Sequence, residues 1–239
     1  MNLKLTFQMI FGVFSLNPNN MRWFNVKRII SCLFLFPIFI CLLINNRIFL
    51  LLDYVIFPRF IRQKIKDPVY IISAPRSATT FLFHSMAQLR DRYTCVKLWE
   101  IIFAPSILQK YVLIGIFKMD AFVGAPLKKS VCYLENLLIG NFKKIHVIGL
   151  ELPEEDEGFL IWNLSSLYLS FFYCDSDFFK SYYQFDRSMD ALSKKRIMRT
   201  YSRYIQRHNF VFNRHGERQF LSKNPLMMNK IASLHEIFP

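Results

Sequence analysis

Glycine is scarce in this 239-residue chain, at 7 residues, and proline reaches only 10. Collagen-like, linker-like and low-complexity chains need far more of both and are excluded. Acidic residues are also short, 17 Asp and Glu against 31 Lys and Arg, which leaves a net charge of +14. That balance favours an anionic partner: phosphate, a nucleotide or an acidic membrane leaflet. Cys32, Cys41, Cys95, Cys132 and Cys174 form no C-x-x-C pair and no Cys/His cluster, so neither a zinc site nor a disulfide framework is indicated. Set among apolar residues, they read as buried, inert thiols in a reducing compartment. No histidines stand at metal-ligand spacing, and no metal is expected.

What the chain does have is apolar mass: 53% of its residues are hydrophobic, 26 of them Phe, enough for a sizeable core. A first apolar run, Ile29 to Ile44, is broken only by Ser31 and Pro37; it meets Asn45-Asn46-Arg47 and resumes from Ile48 to Phe57 around Asp53. As a helix the first run reaches about 24 Å, short of the roughly 30 Å hydrocarbon core. Extending it to Leu52 sets Arg47 well inside, at about 3 kcal/mol if it lay near the bilayer centre. An interfacial anchor, a single transmembrane span and a buried soluble helix stay open, and the first two share membrane contact. The late start and the missing small-x-small site argue against a cleavable signal peptide. Basic residues before the apolar region (Arg22, Lys27, Arg28) are outnumbered by those after it (Arg47, Arg59, Arg62, Lys64, Lys66), which places the body on the cytoplasmic side or lets the cluster grip anionic headgroups. Residues 1–66 are therefore expected to form a hydrophobic membrane-associating region with a basic linker, and 67–239 an α/β domain.

Within 67–239, Val69 to Ile72 reads as a short buried strand and Thr79 to Leu89 as a helix. Apolar spacing predicts further helices over Ser106–Lys118, Leu127–Gly140, Glu154–Leu164, Asp177–Phe185 and Ser188–His208, a strand over Phe220–Ser222, and a helix over Leu226–Ile237. The basic face of the Ser188–His208 helix reads as solvated; no nucleic-acid motif accompanies it, and no nucleic-acid partner is expected. The expected fold is a three-layer, P-loop-like α/β sandwich with a mostly parallel sheet and an N-terminal hydrophobic helical anchor.

The stretch from Val69 to Leu82 carries the chemistry. A loop joining a buried strand to a helix start points free N–H groups and the positive end of the helix dipole at one spot, which makes an anion site. Arg76 can fork onto phosphate or sulfate oxygens, and Ser77, Thr79 and Thr80 can donate hydroxyls. The G-x-x-x-x-G-K-[ST] pattern and its loop lysine are absent, against an ordinary kinase or nucleotidase. Pro75-Arg76-Ser77-Ala78-Thr79-Thr80 resembles the P-R-S-G-T-T phosphosulfate loop of sulfotransferases. With Leu52-Asp53-Tyr54-Val55-Ile56-Phe57-Pro58-Arg59, Trp99-Glu100, Pro153-Glu154-Glu155-Asp156-Glu157, Lys223-Asn224-Pro225 and Phe238-Pro239, the chain from about Leu51 onward is similar to a bacterial-type sulfotransferase family related to the tyrosylprotein and carbohydrate enzymes.

That resemblance implies transfer of a sulfuryl group from 3′-phosphoadenosine 5′-phosphosulfate (PAPS) to a hydroxyl or amine of a small-molecule, glycan or lipid-linked acceptor. It implies Arg76, Ser77, Ala78, Thr79 and Thr80 at the donor, Arg76 and Lys223 on the charge growing at the leaving phosphate, and Glu100 as base; apart from the resemblance, His146, before an apolar strand-like run, is the reserve base. Glu155 or Asp156 could orient the acceptor or an arginine. Ala78 stands where the family carries glycine, tolerable if the position is already helical. The family also continues past its F-P into a strand with an R-D-P-like block that grips the 3′-phosphate. The chain is thus expected to be a truncated member, and a catalytically inactive, membrane-associated scaffold is the alternative reading.

Overall fold

The computed structural model describes residues 26–74, 77–140, 147–171 and 176–239. The first described element is a 31-residue helix, α1 (Val26–Ile56), followed by a 3-10 turn over Pro58–Arg62. Strand β1 (Val69–Ile71), helix α2 (Thr79–Ala87) and strand β2 (Tyr93–Thr94) form a β-α-β unit. Helices α3 (Leu98–Ile102), α4 (Ile107–Phe122) and α5 (Pro126–Ile139) follow, then 3-10 segments over Asp156–Asn163 and Leu167–Phe171. Helices α6 (Ser176–Tyr183), α7 (Phe185–Ser188) and α8 (Ala191–Phe212) lead to strand β3 (Gln219–Lys223), a 3-10 segment (Pro225–Lys230) and α9 (Ile231–Ile237).

The three strands are parallel in the order β1-β3-β2. Val69 lies opposite Leu221 and Ile71 opposite Lys223; Tyr93 and Thr94 lie opposite Gln219 and Phe220. Alternation along β3 separates the layers, because successive side chains leave opposite faces. Phe220 packs into the core built by Tyr201 and Ile205 of α8, whereas Leu221 packs with Phe83 of α2 and Tyr93. The sheet is therefore covered on both faces, as the sequence predicts.

Several elements differ from expectation, each for a local reason. The two-residue β2 and five-residue α3 are too short to show a period. The expected helix over Glu154–Leu164 is a 3-10 segment beginning at Asp156, its acidic residues held by side-chain partners rather than by a helix dipole. The helix over Leu226–Ile237 divides, because Asn224 Oδ1 accepts from Leu226 N (2.9 Å) and Pro225 opens a tight 3-10 turn first. The cysteines need correction. Cys41 and Cys132 are exposed on helices and Cys95 is half-buried, its thiol pushed up to about 11 by burial; the side chain of Cys32 and the whole of Cys174 lie outside the described residues.

Helix α1 runs unbroken through Asn45-Asn46-Arg47. Its stretch Phe36–Ile56 is long and apolar enough to cross a membrane by length and composition. Leu43, Asn46, Leu50 and Asp53, spaced three and four apart, nevertheless form one buried stripe against the body. Asn46 Oδ1 accepts from Gln109 Nε2 (2.7 Å). Asp53 accepts from the backbone N–H groups of Ile107 (3.0 Å) and Leu108 (3.2 Å), capping α4, and pairs with Arg207 Nε at 2.7 Å. Arg207, read as part of a solvated face, is thus buried and neutralised. Leu50 belongs to the same core as Phe220, so the stretches on either side of residue 66 share one hydrophobic interior.

Candidate functional site

Parallel α/β sheets gather ligands outside the carboxyl ends of their strands. Here that edge is formed by the loop leaving β1 and by Lys223-Asn224 at the end of β3, locked together where Asn224 N donates to Ile71 O (3.2 Å). The loop folds back on its own hydroxyls: Ser77 Oγ donates to Ala74 O (2.6 Å) and stands 2.7 Å from Ser73 Oγ. Ala78 is the N-cap of α2, with no side-chain cap over the helix start. Its φ of 59° lies in the left-handed region, so the condition under which alanine would be tolerated, a helical position, is not met, and alanine sits where glycine would be unstrained, at a cost of about 1 kcal/mol. The helix start and the hydroxyl-bearing Thr79 and Thr80 thus follow directly on an exposed turn, with no side-chain cap among the described residues. Arg76 and His146 lie outside the described residues.

Lys223 donates from Nζ to Glu155 Oε1, and Tyr168 donates its hydroxyl to Glu155 Oε2. This pair is partly open, with side chains 8% and 16% exposed for Lys223 and Glu155. Burial and the Glu155 charge raise the Tyr168 phenol far above its ordinary value, so it stays a donor. Asn224 uses Oδ1 on Leu226 N, while Nδ2 is buried without a hydrogen-bond partner among the described residues.

Glu100 has different surroundings. It is 1% exposed, with Oε1 accepting from Lys97 N (3.0 Å) and Oε2 from His208 Nδ1 (2.8 Å). Lys110 Nζ approaches to 3.7 Å, and His208 Nε2 lies 2.7 Å from Thr94 Oγ1. Burial works to raise the Glu100 carboxyl, but His208, Lys110 and the Lys97 N–H outweigh it and hold the group below its ordinary value. Burial pushes the Lys110 ammonium down to about 8.

The acidic run lies beside this cluster because Leu98 N donates to Leu152 O (3.2 Å) and Glu154 N to Val96 O (3.0 Å). Its members then diverge. Asp156 accepts from Ser222 Oγ (2.7 Å) and Tyr201 OH, and burial pushes its carboxyl up to about 6. Glu157 accepts from Ser166 Oγ (2.5 Å) and Lys230 Nζ (3.1 Å), fully enclosed. Glu155 alone of these three reaches the open sheet edge with a cation. Sequence reasoning missed Lys110 and His208, whose positions within their helices carry no motif. Among the described residues no cluster fit for a metal ion is present.

The layered architecture matches a sulfotransferase fold. The crystal structure of sulfotransferase STF9 from Mycobacterium avium is similar to this chain with a TM-score of 0.59 at 14% identity, over 83% of this chain and 47% of that one. The chain spans about half the length of that neighbour. No family model matches the chain, and no curated protein matches it in sequence.

Proposed function

We propose that the chain carries the donor side of a sulfuryl-transfer site, taking PAPS at the carboxyl edge of the sheet. The observation that supports this reading most directly is the β1–α2 turn, with its uncapped helix start and hydroxyl cluster, beside Lys223 on the adjoining strand. Arg76, Ser77, Thr79 and Thr80 hold the 5′-phosphosulfate, and the Ala78 backbone turns around it. In the transfer step an acceptor oxygen or nitrogen forms a bond to sulfur as the bridging S–O bond breaks. The acceptor's proton passes to a carboxylate, and the electron pair of the broken bond stays on the 5′-phosphate of 3′-phosphoadenosine 5′-phosphate. Lys223 and Arg76 meet that charge.

Two carboxylates are candidates for the proton. Glu100 matches the family's Trp-Glu block but is enclosed by His208 and Lys110. Glu155, partly exposed and ion-paired with Lys223, has the better access to an incoming acceptor. The membrane-facing side and the acceptor class, a small molecule, glycan or lipid-linked group, belong to the same proposal.

Calorimetric titration of the detergent-purified chain with 3′-phosphoadenosine 5′-phosphate tests the reading. Binding that is lost in Arg76→Ala and weakened in Lys223→Ala, with no preference for ATP and Mg²⁺, is the expected result. A folded chain that binds neither nucleotide would favour the scaffold reading, and one that prefers ATP with Mg²⁺ would point to phosphoryl chemistry.

A further inference from the structure

The α4–α5 hairpin is built the wrong way round for water. Its turn, Ala121-Phe122-Val123-Gly124-Ala125-Pro126, contains no ionisable group, and Phe122 and Val123 are 91% and 72% exposed, with Met119 at 72% just before them. Along α5, Tyr133, Leu137 and Leu138 are also exposed and no residue is buried. Single exposed apolar residues are ordinary, but a contiguous set of large ones marks a surface that is covered in use.

The polar groups of the turn have been withdrawn from the surface. Asp120 is buried and spends both carboxylate oxygens on the helix start of α5, accepting from Leu127 N (2.8 Å) and Lys128 N (2.9 Å). Val123 N and Ala125 N donate to Asp120 O (3.1 and 2.8 Å), and Gly124 N to Ala121 O (3.4 Å). Pro126 has no N–H. Every backbone donor from Val123 to Lys128 is thus satisfied internally, the condition hydrocarbon imposes and water does not. Gly124 and Ala125 both take positive φ, 89° and 58°, which tightens the turn so that Phe122 and Val123 project.

Charge defines the occupant. Lys118 precedes the turn, Lys128 and Lys129 follow it, and all three are exposed. Long lysine stems flanking an uncharged tip can lie along apolar surface while their ammonium groups meet phosphate. We propose that this hairpin docks on a bilayer carrying anionic lipid: the Phe122–Val123 tip enters the acyl boundary and the three lysines meet the headgroups. The hairpin root is fixed to α1, since Asp53 caps α4 and Phe57 packs on Tyr111 with ring centroids 5.7 Å apart. The body is then held by a second contact, separate from α1 and independent of the donor-site reading.

Because α1 could bring the chain to lipid unaided, the test reads the hairpin itself. A photo-crosslinking phenylalanine analogue replaces Phe122, and in a second version Leu192 of α8, in the full chain mixed with phosphatidylcholine vesicles with and without phosphatidylserine. Phe122 is too exposed for the replacement to disturb folding, and Leu192, 70% exposed, is the control. The expected result is lipid adducts at position 122 several-fold above those at 192, increased by phosphatidylserine. Each of Lys118→Gln, Lys128→Gln and Lys129→Gln lowers the adduct yield on anionic vesicles by roughly fivefold. Adducts to a second copy of the chain, or no lipid adduct at 122 while the chain still sediments with vesicles, would overturn the proposal.

Discussion

The carboxyl edge of the sheet and the α4–α5 hairpin treat charge and apolar surface in opposite ways. Around the sheet, Asp53, Glu100, Asp156, Glu157, Lys110, Arg207 and Lys230 are all buried, each beside a named partner. Around the hairpin turn, from Met119 to Val123, the large apolar side chains face outward and Asp120 is turned in. Burying an ion is tolerable only with geometry that replaces water, so the body is cross-linked by directional contacts that fix one arrangement. The hairpin is anchored at its root by Asp53 and tightened at its turn by Asp120, and its exposed faces fit an apolar surround. Stability should therefore depend steeply on the body's paired charges and weakly on the hairpin's exposed side chains.

The comparison is sharpest at Asp53, where one carboxylate caps α4 and neutralises Arg207. Asp53→Ala should cost about 3–5 kcal/mol by leaving a buried guanidinium unpaired, read as a fall in urea midpoint in detergent. Val55→Ser, on the exposed side of the same helix, should change it by no more than about 0.5 kcal/mol. Equal losses would break the contrast.

Glu100 and Glu155 divide the next prediction. Glu100→Gln removes the charge that His208 and Lys110 share and should cost about 2–3 kcal/mol in the same assay. Glu155→Gln keeps the acceptor oxygen and a partly exposed site and should cost less, about 1–2 kcal/mol, yet slow conversion of PAPS to 3′-phosphoadenosine 5′-phosphate by roughly a hundredfold or more. The reverse pattern would return the base role to Glu100.

Asp156 provides a pH signature. Its folded carboxyl is raised from 3.8 to about 6, so the native state holds the proton more tightly than the unfolded chain. Its contribution to stability therefore declines as pH rises from about 4 to 6. Asp156→Asn should flatten that decline in urea melts taken across the interval, while a slope unchanged by the substitution would show that the group titrates normally. Smaller still, Ala78→Gly relieves a left-handed φ and should stabilise by about 1 kcal/mol or less, raising the melting temperature. Last, Glu151→Ala breaks only the exposed Lys97–Glu151 pair and should shift stability by less than about 0.5 kcal/mol.

The sequence made the sheet-forming parts legible because they announce themselves in one dimension. Val69–Ile71 stands out as a β-branched and aromatic run, the turn after it by its hydroxyls, and α8 by its period. What stayed hidden depends on three dimensions. Asp53 lies in a run that reads as a membrane anchor, and only the seven-residue repeat with Asn46 and its contact with Arg207 reveal it as part of the body. The four consecutive acids look like one helix start, yet Glu155, Asp156 and Glu157 point to different partners. Ala78 showed as a departure from glycine, but its left-handed φ belongs to the folded turn. His208 and Lys110 sit in helices whose pattern gives no hint that they meet at Glu100.

Amide hydrogen exchange on the full chain, with and without 3′-phosphoadenosine 5′-phosphate, tests the central claim most directly. The account predicts slowed exchange confined to residues 73–82 and to Lys223-Asn224 at the sheet edge, with the 107–139 hairpin unchanged. Protection that falls on the hairpin, or none anywhere in a chain shown to be folded, would contradict a donor site at the carboxyl edge of this sheet.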